Sequence, residues 1–99
     1  MIRVKKICSS NDKLLGLEIK GHANFDESGK DLICAAVSSI VTGGFNALTK
    51  EEIAEVILEE GYAKVILKND ATESCLVLNV ILIQLSTIEE SYPQYIDIK

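Results

Sequence analysis

Hydrophobic and polar residues alternate at the start of the chain. Ile2, Val4 and Ile7 are separated by Arg3, Lys5 and Lys6, and Leu15, Leu17 and Ile19 by Gly16, Glu18 and Lys20. This two-residue period predicts two half-buried strands. Ser9-Ser10-Asn11-Asp12 between them carries short polar side chains suited to a turn, so the pair reads as an antiparallel hairpin. The period then changes. Ile33, Ala36, Val37, Ile40, Gly44 and Leu48 recur at helical spacing, with Asp31 as the expected N-cap. Gly43-Gly44 is poor helix interior and suggests close packing against the sheet or a neighbouring element. Residues 50–60 fit a helix by their glutamates. A second hairpin is the better reading, with Gly61 at the turn between Glu55-Val56-Ile57-Leu58 and Ala63-Lys64-Val65-Ile66-Leu67. Asp70-x-x-Glu73 has the form of a capping box and opens a last helix, which Pro93 stops before a closing edge strand at Tyr95-Ile96-Asp97-Ile98.

The pattern predicts an α+β fold in the order ββαββαβ, a small sheet of hairpins with two helices on one face. Ninety-nine residues, 47% of them hydrophobic, suit a single domain over 1–99 with one core. From Cys75 to Ile88 the last helix is apolar on nearly every side, through Leu76, Val77, Leu78, Val80, Ile81, Leu82, Ile83 and Leu85. One small sheet does not cover such a helix, so a homodimer interface is expected. The longest apolar stretch, Cys75 to Leu85, is broken by Asn79 and Gln84 and falls short of the roughly 20 residues of a membrane span. The first residues lack an apolar signal core. A cytoplasmic protein without membrane contact is expected. The net charge of −5 argues against a nucleic-acid partner.

Cys8, Cys34 and Cys75 are too few and too widely spaced for a disulfide framework. No paired Cys or His spacing suggests zinc, and no metal or cofactor is implied. The chemistry points to Cys34 and the one histidine, His22. With Asp31 as N-cap, Cys34 takes the third helical position, where helix N–H groups and the helix dipole favour thiolate. His22 ends the second strand and can serve as base and then acid. The first N–H groups of the helix, that of Cys34 included, are candidate oxyanion donors. Asp31 could orient His22 or only cap the helix, with Asp26 and Glu27 as alternatives. Ser38, one turn beyond Cys34, shares its face. Cys8 and Cys75 read as packing residues. Between the pair, Ala23, Asn24, Phe25, Asp26, Glu27, Ser28, Gly29 and Lys30 form a polar loop of the length that often carries function.

Gly21-His22-Ala23, the Gly29-x-Asp31 step and Asp31-Leu32-Ile33-Cys34-Ala35-Ala36-Val37-Ser38 resemble the ribosomal-processing cysteine protease family, Prp. Glu60-Gly61-Tyr62 and Tyr92-Pro93-Gln94-Tyr95-Ile96 extend the resemblance over essentially the whole chain. It implies a small dimeric bacterial α+β endopeptidase. Such a protein removes an N-terminal extension from the large-subunit ribosomal protein L-twenty-seven, after a hydrophobic stretch ending in aromatic residues. The family's nucleophile maps to Cys34, its histidine to His22, and supporting aspartate and serine positions to Asp31 and Ser38. Residues 23–30 correspond to a loop that closes over substrate, and Phe25 and Phe45 are candidate walls of an apolar groove. The rival reading is a non-catalytic peptide-binding module of ribosome assembly. A metal-binding regulator using Cys34 and His22 is a further one.

Overall fold

The structure, a computed structural model, describes residues 1–21, 30–50 and 53–99, with residues 30, 31 and 50 described by their backbone only. The elements follow the predicted order: β1 (Ile2–Cys8), β2 (Leu14–Lys20), α1 (Lys30–Lys50), β3 (Ala54–Glu59), β4 (Tyr62–Leu67), α2 (Thr72–Ser91) and β5 (Ile96–Ile98). The strands make one mixed sheet in the order β3-β4-β2-β1-β5, antiparallel except where β5 runs parallel to β1.

The register explains how one face became the core. Ala63 of β4 stands opposite Ile19 of β2, and Ile19 opposite Val4 of β1, so buried residues form rows across the sheet. Their neighbours Lys5, Glu18 and Lys64 form charged rows on the other face. Both helices lie over the apolar face. α1 contributes Ile33, Val37, Val41, Phe45 and Leu48 to the core, and α2 contributes Cys75, Leu78, Ile81 and Leu85. By length and apolar composition alone, each helix reaches what a membrane crossing needs, so the sequence-based exclusion was too strict. In this fold each presents its buried stripe to the sheet.

Several local expectations change. In β1–β2 a bulge at Ile7/Cys8 leaves Leu15 as the extra residue, so Leu14 enters the core while Leu15 is half-buried. The buried stripe of α1 is turned about one residue from the expected one. Ile40 only packs at the core's margin, and Phe45 is fully buried, which removes it as a groove wall. Asp70 is not the cap of α2: the N-cap is Ala71, without a side-chain bond. Asn69 accepts the Ala71 N–H through its side chain at 2.8 Å, and Lys13 donates to the Asp70 carbonyl at 2.8 Å, tying the first turn to the entry of α2. Cys75 is buried as expected, whereas Cys8 is exposed. Gly44 performs the expected close packing: a Cβ there would lie 2.6 Å from Ile81 Cδ1 of α2.

Candidate active site

Cys34 and Ser38 come together as one face of α1, continued by Thr42, and this face forms one wall of a cleft of about 140 Å³. The opposite wall is the end of β3 and the turn into β4, through Leu58, Glu59, Gly61 and Tyr62. Ile2, Ile19, Val37, Val41 and Ala63 are its buried floor. Cys34 is half-buried and Ser38 exposed. The spacing 34, 38, 42 explains the wall, because residues four apart stack on one helical face. It lies beside the buried stripe 33, 37, 41, so a shift of one residue separates a core position from a cleft position.

α1 is already helical at Lys30, which places Asp31 within the helix rather than at its cap and Cys34 beyond the third position. The Cys34 N–H is then directed to the Lys30 carbonyl by helix geometry. An oxyanion donor from this helix would have to be an N–H group without such a partner, as those of a helix's first turn are. His22 and the loop residues 23–29, Phe25 among them, lie outside the described residues, as does the side chain of Asp31.

The structure does show where the chain leaves the sheet toward His22. Gly21 lines the cleft, has φ of 93°, and donates its N–H to the Gly61 carbonyl at 3.0 Å. A Cβ there would lie 2.5 Å from the Met1 carbonyl oxygen. Glycine is required on both counts: the backbone is in the region L side chains avoid, and there is no room. The residue preceding His22 is thus held against the Gly61 turn, within the same cleft as Cys34. Below it, the Tyr62 hydroxyl donates to Glu18 at 2.7 Å, which holds that carboxyl below its ordinary value and raises the phenol. Lys20 stands 6.0 Å from the Tyr62 ring and 3.6 Å from Glu18.

A half-buried cysteine on a helix wall, in a cleft reached by the chain leading to the one histidine, is the arrangement thiol hydrolysis needs. A family model for the cysteine protease Prp matches residues 1–97. The chain belongs to the Prp cysteine proteases. The ribosomal processing cysteine protease Prp of Mycoplasma genitalium is 40% identical over 82 residues, spanning 81% of this chain and 82% of that protein. The Prp of Bacillus subtilis is 32% identical over 93 residues, spanning 84% and 83%. The Staphylococcus aureus Prp structure in complex with a substrate peptide superposes with a TM-score of 0.87 at 26% identity, covering 100% of this chain and 98% of that one. A second structure of that protein, with a covalently linked product peptide, gives 0.86 at 27% identity, with the same coverage. The fold is that of Prp, and the activity is cysteine-protease chemistry.

Proposed function

We propose that this chain removes the N-terminal extension of the large-subunit ribosomal protein L-twenty-seven by cutting after a hydrophobic stretch that ends in aromatic residues. The observation that carries the reading is Cys34 on the α1 wall of the cleft, facing the β3–β4 turn that holds Gly21. A peptide passing along that cleft meets the thiol with an apolar floor beneath it. The S. aureus Prp with a covalently linked product peptide supports covalent, nucleophilic chemistry in this fold.

In this mechanism His22 takes the Cys34 proton, and the thiolate sulfur attacks the scissile carbonyl carbon. The carbonyl π electrons move to oxygen, and the N–H groups at the start of α1 hold the oxyanion. Collapse breaks the C–N bond, and the imidazolium of His22 gives its proton to the departing amine. The thioester left on Cys34 is then attacked by water, with His22 as base. The second tetrahedral species expels the thiolate and releases the extension with a free carboxylate. Ser38, one turn along the wall, supports the reacting group, and Asp31 orients His22 or the start of α1.

The reading includes a cytoplasmic homodimer. Its support is the stripe Leu76, Val80 and Ile83 of α2, exposed at 63%, 46% and 63% on a helix whose other face is spent on the core. The deciding experiment is cleavage of a peptide spanning the extension junction by the wild type and by Cys34→Ala, read by mass spectrometry. A single cut after the aromatic residues, lost in Cys34→Ala, is expected. Binding by both chains without a cut would leave a peptide-binding assembly module instead.

A further inference from the structure

Ile57 and Leu58 are adjacent in β3 and almost equally exposed, at 47% and 43%, but they face opposite ways. Ile57 stands opposite Lys64, on the charged face of the sheet. Leu58 stands opposite Ala63, which is buried, so its side of β3 is the side the helices cover. Leu58 nevertheless remains open. The reason lies in α1, which presents Cys34, Ser38 and Thr42 to the cleft, small side chains that do not reach across to β3. Among the described residues lining the cleft, Leu58 is the one large apolar side chain that is exposed.

Its level along the cleft follows from chain geometry. The Ile53 N–H donates to the Leu48 carbonyl at 3.2 Å, so β3 starts beside the end of α1 and runs back along it. Four residues of strand, Ala54 to Leu58, cover about 13 Å. The same distance along the helix is about nine residues. Leu58 therefore stands near Ser38, one turn from Cys34. One helical turn of about 5.4 Å corresponds to one or two residues of an extended peptide.

We propose that Leu58 is the specificity wall of the substrate cleft, receiving a large apolar or aromatic side chain one or two residues from the bond that Cys34 attacks. This rests on the protease reading above and names the residue that selects the peptide. The site is half built in the free protein: Val37, Val41 and Ala63 form its floor, and the incoming side chain supplies the cover that Leu58 lacks. An acidic residue at 58 would place a carboxylate against that side chain and reverse the preference.

The test separates the subsite from the chemistry. A fluorescein-labelled peptide with two consecutive phenylalanines, and a twin with alanines in their place, are titrated into the Cys34→Ala chain by anisotropy. In that background Leu58→Asp weakens binding of the phenylalanine peptide at least tenfold, while Ile57→Asp, equally exposed on the other face, leaves it within twofold. The alanine twin binds less well to the Leu58 chain and no worse to Leu58→Asp, the non-additivity of two groups in contact. With Cys34 intact, Leu58→Asp raises KM and preserves kcat. Equal losses in the two Asp variants, additive penalties, or no saturable binding of the phenylalanine peptide by the Leu58 chain would overturn the proposal. Binding differences as expected without cleavage by the Cys34 chain would uphold the subsite and defeat the protease reading.

Discussion

α1 and α2 have nearly the same length, 21 and 20 residues, and each buries one stripe against the same sheet. Their remaining faces differ. Beside its buried stripe α1 sets Cys34, Ser38 and Thr42, small and partly polar side chains that leave a cleft open toward β3. On its uncovered face α2 exposes Leu76, Val80 and Ile83, while Asn79, Ser86 and Thr87 bond back to the carbonyls of Cys75, Leu82 and Ile83. These three polar groups are satisfied within the helix, and the apolar stripe beside them is exposed. Composition makes the helices alike. The choice of small against branched side chains on the uncovered face gives one a cleft and the other an exposed apolar stripe.

The sharpest way to break this comparison is within α1, where neighbouring stripes carry opposite burdens. Cys34→Ala should lower cleavage by about 10³-fold or more, since removal of a nucleophile leaves only binding and oxyanion contributions. Its denaturation midpoint should stay near that of the wild type. Phe45→Ala, on the buried stripe, should do the reverse and cost about 3–5 kcal/mol of stability in urea unfolding. Activity per folded molecule should change little. If Phe45→Ala instead removed activity from the folded fraction, the cleft and core stripes would not be separable.

The same pair shows what was legible in the sequence. The element order, both hairpins, the Gly61 turn and the close approach at Gly44 follow from period and turn chemistry, because those depend on neighbours in the chain. The exact face of α1 does not. With Ile33, Ala36, Val37, Ile40, Val41, Gly44, Phe45 and Leu48 all apolar or small, two overlapping stripes satisfy a 3.6-residue period. Only tertiary packing decides between them, and it selects the one that buries Val41 and Phe45. Caps failed for a related reason. Asp31 lies within the helical residues of α1, and Asp70 lies one position before the Ala71 cap of α2, where Asn69 took over the bonding. Cys34 and Ser38 were readable as one helix face. Leu58 was not, since its strand parity assigns it to the core and its exposure comes from the small side chains of α1.

On α2 the exposed stripe is open to a test by charge. Leu76→Glu with Ile83→Glu places two carboxylates on the exposed stripe and leaves the core residues of the helix untouched. Sedimentation should show the wild type as a dimer and the double variant at monomer mass, with a dimer Kd raised at least tenfold, about 1.4 kcal/mol or more. A wild type that sediments as a monomer at high concentration would remove the interface from α2 and leave its stripe without a partner.

The smallest effect lies on the charged face of the sheet, away from both helices. The Tyr62 hydroxyl is the main cause of Glu18's lowered value, with Lys20, Lys64 and Lys5 adding to it and partial burial opposing. A carboxyl whose value is lowered on folding contributes stability above its ordinary 4.5, and loses that contribution as pH falls through the lowered value. Tyr62 has the opposite sign. Its phenol is raised above 10.0, chiefly by the same bond, so its contribution is present below 10.0 and fades as pH climbs through the raised value. The Tm difference between wild type and Tyr62→Phe should therefore be small and flat between these limits, and close at both ends. A difference that persisted unchanged at pH 3 would mean that the hydroxyl matters through packing rather than through the ionised Glu18. Because Tyr62 follows the glycine whose carbonyl holds Gly21, a fall in activity that tracked this profile would tie the bond to the placement of His22. Activity independent of it would separate the Tyr62–Glu18 bond from the Gly61–Gly21 contact.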